Sequence, residues 1–298
     1  MRKQTAGKGR KFAAVITAML CIALFVVFFL RSEGMLFTFS TQEKGEDFVK
    51  VIDVGQGDST LISSNGYNCL IDTGSIESVN ELSSSLFNSG IKKIDVLFLT
   101  HLHADHTGGV AHIFEHFTVN NVILPELSTH SEGIYSAELA INKVTTSGGG
   151  VYSAVQGMNF ELGDFEITVL GSYGKMKDEN NRSLVIMAKI DDKKFLFTGD
   201  AEQEVEKALI DEGINLNCDV LKVGHHGSNT STSVEFLNKT TPEFAAISVG
   251  KGNIYGHPNK ALIKRLEERK VKFFRTDFEG DITFRIEKGK ILAATEIM

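Results

Sequence analysis

Residues 101–106 read His-Leu-His-Ala-Asp-His, which places His101, His103, Asp105 and His106 within six positions. Imidazole nitrogens together with a carboxylate are suitable ligands for zinc, manganese or iron. The segment follows IDVLFLT, residues 94–100, an apolar run of buried-strand length. On a strand end or the loop after it, His101 and His103 project the same way, because side chains alternate. Asp105 and His106, in the turn that follows, can face the other side of a small cavity. One exposed histidine needs no explanation, but four ligand-type side chains in one turn do.

Two more clusters lie far along the chain. FLFTGD sets Asp200 at the end of an apolar strand just before a helix, and LKVGHHGS sets His225 and His226 at the end of another. Strand ends that share an edge are where α/β folds build sites. Taken alone, Asp200 could simply cap the helix that follows it. The glycine-flanked histidine pair is more suggestive.

The elements that must position these residues follow from periodicity. FVKVIDV alternates from Phe48, GQGD turns the chain, and TLIS and YNCLID continue as short strands. A helix is predicted over 76–89, a strand over 94–100, and a helix to about Phe117. A strand at VNNVILP and a helix over 133–145 follow. The second half predicts strands at 151–155, 159–170, 183–190, 194–198, DVLKVG and FAAISVG. Helices are predicted near 201–212, 232–239 and 258–269, and two final strands close the chain. Strands interleaved with helices in two halves predict a mixed α/β, four-layer sandwich.

The first thirty residues are a separate object. Five basic residues, Arg2, Lys3, Lys8, Arg10 and Lys11, precede an uncharged run, Phe12 to Leu30. At about 1.5 Å per residue such a run nearly spans a hydrocarbon core of about 30 Å. The basic flank should stay cytoplasmic and send the C-terminus outward. The expected division is a basic tail over 1–11, a transmembrane signal anchor over 12–30, a spacer over 31–47 and a catalytic-type domain over 48–298. A cleaved signal peptide with a secreted product is the alternative, although its apolar region is usually shorter.

Composition excludes several classes. With 42% hydrophobic and 23% charged residues, the 298-residue chain is not disordered. Three cysteines make no disulfide framework, and Cys69 and Cys218 read as buried thiols in strands. A net charge of -7 excludes a generally basic nucleic-acid coat protein but not a local basic groove.

The segments DVGQGD (53–58), LIDTG (70–74), LTHLHADHTGG (99–109), FLFTGD (195–200), LKVGHHGSNTSTS (221–233) and ISVGKGNIYGHP (247–258) resemble, in order, the motifs of the metallo-β-lactamase superfamily. They are most similar to the extracellular hydrolase domain of ComEC-type DNA-uptake proteins. The resemblance implies an αββα sandwich with one or two divalent ions, zinc or manganese, where the two sheets meet. It assigns His101 and His103 to one ion, Asp105 and His106 to a second, and Asp200 as the bridge. One of His225 and His226 would complete the second site, and the other would lie near substrate. Asp72 is similar to an acid that orients a ligand histidine; Asp58 either does the same or holds its turn. Many members carry another ligand histidine where this chain has DENNRSLVI, with Asn180, Asn181 and Ser183. The ComEC-type branch shows the same N-x-S-L pattern, and the position is left open for water or substrate, including contacts from Asn181 and Ser183. A one-metal or manganese-preferring enzyme fits that pattern.

The implied chemistry is attack by metal-activated hydroxide on phosphorus or a carbonyl carbon. Asp105 or Asp200 could hold the nucleophile's proton. His257, after Tyr255 in YGHP, is a candidate phosphate contact or leaving-group acid, or else a loop histidine before Pro258. Ser228 and the backbone of HHGS could donate to phosphate. The implied substrate is a phosphodiester, extracellular DNA first, with single-stranded DNA one candidate form. Lys222, Lys251, Lys260, Lys264 and Arg265 are the cations expected to meet phosphates. A separate membrane channel is a further candidate partner. A smaller envelope phosphodiester, as for phosphorylcholine esterases, and an idle binding module are the alternatives.

Overall fold

The computed structural model describes residues 46–296. Two sheets stack face to face. The first runs, edge to edge, Lys290–Thr295, Ile282–Glu287, Phe48–Val51, Thr60–Ser64, Tyr67–Ile71, Lys93–Phe98, Thr118–Leu124 and Gly150–Ser153. It is antiparallel as far as Tyr67–Ile71 and parallel from there to Gly150–Ser153. The second runs Lys272–Arg275, Phe244–Ile247, Val220–Lys222, Lys193–Phe197, Val185–Ile190, Phe165–Gly171 and Asn159–Leu162. Its first four strands are parallel and the rest antiparallel.

Three apolar clusters hold the layers. Between the sheets lie Ile62, Phe98, Phe160, Phe165, Phe195 and Phe284, all buried, with the Phe98 and Phe160 rings 6.1 Å apart. Each such phenylalanine contributes about 1.5–3 kcal/mol by burial. On the outer face of the first sheet, Leu61, Leu70 and Leu97 pack with helices Val79–Asn88, Val110–His116 and Ile134–Thr146. On the outer face of the second, Leu196 and Leu221 pack with helices Gln203–Asp211, Val234–Thr240 and Lys260–Glu268. The strand residues alternate between inner and outer clusters, as in Leu61 and Ile62 or Leu97 and Phe98. That period of two is what allows both faces of each sheet to be buried. The order is helix, sheet, sheet, helix, as the periodicity predicted.

Two details differ from the sequence reading. The run 159–170, expected as one strand, is a hairpin that turns at Gly163, with φ +59°. A side chain there would meet the Ser64 carbonyl oxygen. Three strands, not two, close the chain: Lys272–Arg275 extends the second sheet, and the last two return to the first beside Phe48–Val51. The halves are therefore interlocked by the C-terminal hairpin. Cys69 and Cys218 are buried and free, with Cys218 just ahead of its strand. Among the described residues no helix is long and apolar enough to cross a membrane; the run 12–30 lies outside them.

Candidate metal centre

The carboxyl ends of five strands converge at one edge of the sandwich. Asp72 follows Tyr67–Ile71, His101 and His103 follow Lys93–Phe98, and Asp200 follows Lys193–Phe197. His225 and His226 follow Val220–Lys222, and Ser248 follows Phe244–Ile247. Each of these strands has a parallel neighbour, so the ends point the same way. A parallel sheet leaves its loops, and so its chemistry, at that edge. Gly57 lets the GQGD turn approach closely, since a Cβ there would sit 2.6 Å from the Asp105 carbonyl oxygen. The Asp58 N–H donates to that same oxygen at 3.1 Å.

Asp105, His106, Asp200 and His226 bring their ligand atoms within 4.8 Å of one another. His106 Nε2 stands 3.3 Å from Asp200 Oδ1, and His226 Nε2 stands 3.1 Å from Asp105 Oδ2 and 3.4 Å from Asp200 Oδ2. The far nitrogens are fixed from behind. His106 Nδ1 faces Asp72 Oδ2 at 2.8 Å, and His226 Nδ1 faces the Ser248 carbonyl oxygen at 3.2 Å. Asp72 is itself held by the Thr100 N–H and hydroxyl at 2.8 and 2.6 Å. Both imidazoles thus present Nε2 to the same space, the arrangement expected of metal-binding histidines. His106 Nε2 and Asp200 Oδ1 are buried and, apart from facing each other at 3.3 Å, have no hydrogen-bond partner. Orphaned atoms of this kind are costly, and a divalent ion among these four residues would satisfy them. Two imidazoles and two carboxylates suit zinc, manganese or iron. His101 and His103 bring a further pair of nitrogens to 3.1 Å, with the His101 ring 4.1 Å from that of His106.

The charges are strongly coupled. Burial alone would raise the Asp200 and Asp105 carboxyls, but His226 and His106 hold both well below the usual range. Burial alone would lower the two histidines, but the surrounding carboxylates win. Asp200 and Asp72 push His106 well up, and Asp200 and Asp105 push His226 to about 9. Burial raises Asp72 despite His106, and burial lowers His101. Burial and the nearby His225 and His226 lower His257.

The two adjacent histidines are placed differently. His226 joins the cluster, while His225 lies on the wall, with Nδ1 3.2 Å from Glu202 Oε1 and Nε2 3.5 Å from Asn180 Nδ2 and 3.9 Å from Asp200 Oδ2. Both residues have φ near +50°, a costly region for a side chain with a Cβ. Asp58 does not touch a histidine. It binds the Lys222 ammonium at 2.6 Å and accepts from the Ser248 hydroxyl at 3.0 Å, so it reaches His226 only through Ser248. Lys222 is 2% exposed, which removes it from the cations expected to meet a phosphate. Arg265 instead donates to the Ser231 carbonyl oxygen, and Lys264 pairs with Glu268 on its own helix.

Asn181 and Ser183 point inward. Asn181 accepts from the Glu202 N–H and Ser183 from the Asp200 N–H, both at 3.0 Å. Ser183 thus fixes Asp200 from behind and Asn181 fixes the backbone just after it, rather than facing the cleft, and Asn180 is the member of that turn on the wall. Ser228 is also buried and bonds Thr230. Tyr255 and His257 do line the cleft, and the His257 Nδ1 is buried without a partner. Sequence reasoning missed Thr100, Ser248 and Asn253, polar residues inside the quoted motifs with no ligand chemistry of their own to mark them, and Glu202, a carboxylate just past FLFTGD that reads as a residue of the helix start.

The cluster opens on a cleft of about 1210 Å³. Among the described residues, eight carboxylates line it, against one lysine, Lys251. Asp105 and Asp200 belong to the cluster; Asp53, Glu77, Glu81, Glu132, Asp277 and Glu296 lie beyond it.

An αββα sandwich with a histidine-aspartate cluster at the sheet edge is the architecture of metallohydrolases of one superfamily. Residues 52–251 match the family model described as "Metallo-beta-lactamase superfamily". The chain belongs to that superfamily. It is similar to "ComE operon protein 3" of Bacillus subtilis, with 30% identity over 89% of this chain and 35% of that protein. It is also similar to "Competence protein ComA" of Neisseria gonorrhoeae, with 32% identity over 84% of this chain and 34% of that one. The chain thus spans about a third of the length of these relatives. The metallo-β-lactamase fold protein YhfI from Bacillus subtilis shares the fold at 13% identity and TM-score 0.52, covering 76% of this chain and 95% of that one. The metallo hydrolase Igni18 from Ignicoccus hospitalis does so at 16% identity and TM-score 0.52, covering 80% and 100%.

Proposed function

We propose that the chain is a metal-dependent phosphodiesterase that cleaves nucleic acid, single-stranded DNA first, outside the cell. The observation that carries this reading is the cluster Asp105, His106, Asp200 and His226, with its orphaned buried atoms, opening directly on a cleft. An ion held there would act as a Lewis acid and lower the pKa of bound water. The chain's own residues do the rest. Asp72 and the Ser248 carbonyl fix the rings of His106 and His226, and Ser183 fixes the backbone of Asp200. Asp105, held ionised by its neighbours, is placed to accept a proton from an attacking water. His257, with a free Nδ1 in the cleft, is placed to bind phosphate or a leaving oxygen.

Similarity to competence proteins supports DNA as the substrate. The apolar run 12–30 supports a single membrane anchor with the hydrolase domain outside, and a channel on another chain would then supply the passage. A second reading has its own observation. Eight carboxylates against one lysine suit a small phosphodiester with a cationic head better than a polyanion.

The test uses the full chain in detergent, stripped of metal and reloaded with zinc or manganese. Single-stranded DNA, duplex DNA and bis-p-nitrophenyl phosphate are assayed beside Asp105→Ala. Metal-dependent cleavage of the single strand, lost in the variant, is expected. Turnover of the small diester with DNA intact moves the substrate to the second reading.

A further inference from the structure

The acidic cleft poses a problem for any nucleic-acid enzyme, because phosphates repel carboxylates. The wall residues resolve it if phosphates and bases occupy different places. Loop Gly250–His257 crosses the cleft and is clipped by one side chain. Asn253 Nδ2 donates to the carbonyl oxygens of Gly250 and His257 at 3.0 and 2.7 Å. Its Oδ1 accepts from the N–H groups of Tyr255 and His257 at 3.1 and 3.0 Å. The clip fixes the backbone that carries three side chains. His257 lies beside the histidine cluster, its ring 5.7 Å from that of His225. Among the described residues Lys251 is the one lysine or arginine lining the cleft. Tyr255 is 65% exposed, although it is aromatic. Phe278, also on the wall, is 60% exposed, and the Arg275 guanidinium 4.0 Å from its centroid covers one face of the ring.

Exposed aromatic rings in a cleft cost apolar hydration unless something flat covers them. Nucleobases are flat, and their exocyclic amines can donate to carboxylates such as Asp53 and Glu296 on the same wall. Phosphates would be drawn instead to the metal centre and Lys251. Resting on the nucleic-acid reading above, we propose that Tyr255 and Phe278 form a base-stacking subsite that takes a single strand with bases toward the acidic wall and phosphates toward the cluster. A duplex is rejected because its bases are already stacked and its second backbone would face carboxylates.

The experiment compares two labelled single strands of equal length, one of deoxycytidines and one of abasic sugars, with full-length protein in detergent. Affinity is read by fluorescence anisotropy in calcium, and cleavage by gel in manganese and in zinc. Wild-type protein is expected to bind the base-bearing strand at least about tenfold more tightly, since stacking on one ring is worth that much. Tyr255→Ala and Phe278→Ala should each lower that ratio by about tenfold, Tyr255→Phe should restore it, and Tyr135→Ala, on the outer surface, should leave it as in wild type. Equal affinity of wild-type protein for both strands overturns the subsite, as does a variant that weakens both strands alike. Cleavage of neither strand overturns the nuclease reading, a separate result from the affinity ratio.

Discussion

Metal uptake at this centre must expel protons. At neutral pH the His226 ring, raised to about 9, and the His106 ring, raised well above its ordinary value, both carry a proton in the metal-free chain. Asp105 and Asp200 are held ionised by those charges and carry none. Ligand imidazoles must be neutral. Binding of one ion to these four residues at pH 7 should therefore release about two protons. Deprotonating His226 alone, from about 9 to pH 7, costs about 3 kcal/mol, or roughly 100-fold in apparent affinity. Near neutrality the affinity should rise about 100-fold per pH unit, and more slowly once pH passes about 9, where His226 is already neutral. Stability of the metal-free chain should move the other way. A folded pKa raised above 6.5 stabilises fully below that pH and is lost as pH rises through about 9. Calorimetric titration of manganese in buffers of different ionisation enthalpy counts the protons. No proton release at pH 7, or an affinity flat between about pH 6 and 8, would refute the charge assignment.

Three further outcomes follow from the same contacts. Lys222→Met strands the Asp58 carboxylate in a buried site and should cost about 3–5 kcal/mol in chemical denaturation, with part recovered on adding Asp58→Asn. Asp72→Asn keeps the shape but removes the charge behind His106, and should weaken metal binding by about 10- to 100-fold in a competition titration with a chelating dye. Cys69 and Cys218, buried and with thiol pKa values pushed up by burial, should stay unreactive to a thiol reagent in native buffer and react on unfolding.

The site was legible where chemistry is written in residue type. His101, His103, Asp105 and His106 announce themselves by density, and Asp200 and the histidine pair by their place after apolar strands. The four-layer order was legible because alternation such as Leu61–Ile62 and Leu97–Phe98 assigns each strand a face in both cores. The rest depended on partners far apart in sequence. Lys222 reads as a surface cation until Asp58, far earlier in the chain, is seen at 2.6 Å. Asn181 and Ser183 read as cleft residues until their bonds to the backbone of Glu202 and Asp200 turn them inward. The acidity of the cleft was invisible because its carboxylates come from segments scattered between Asp53 and Glu296. The hairpin at Gly163 was written in a one-residue slip of the apolar alternation, from Phe160 and Leu162 to Phe165, Ile167 and Val169, which a reading of the run as one strand passes over.

The central claim is that Asp105, His106, Asp200 and His226 hold the ion on which hydrolysis depends. The most direct test measures bound metal per chain and cleavage of single-stranded DNA on the same samples of wild-type protein and Asp200→Asn. Asp200 faces His106 and His226, at 3.3 and 3.4 Å, so metal content and cleavage should fall together in the variant. Cleavage that persists after the metal is lost would contradict the account.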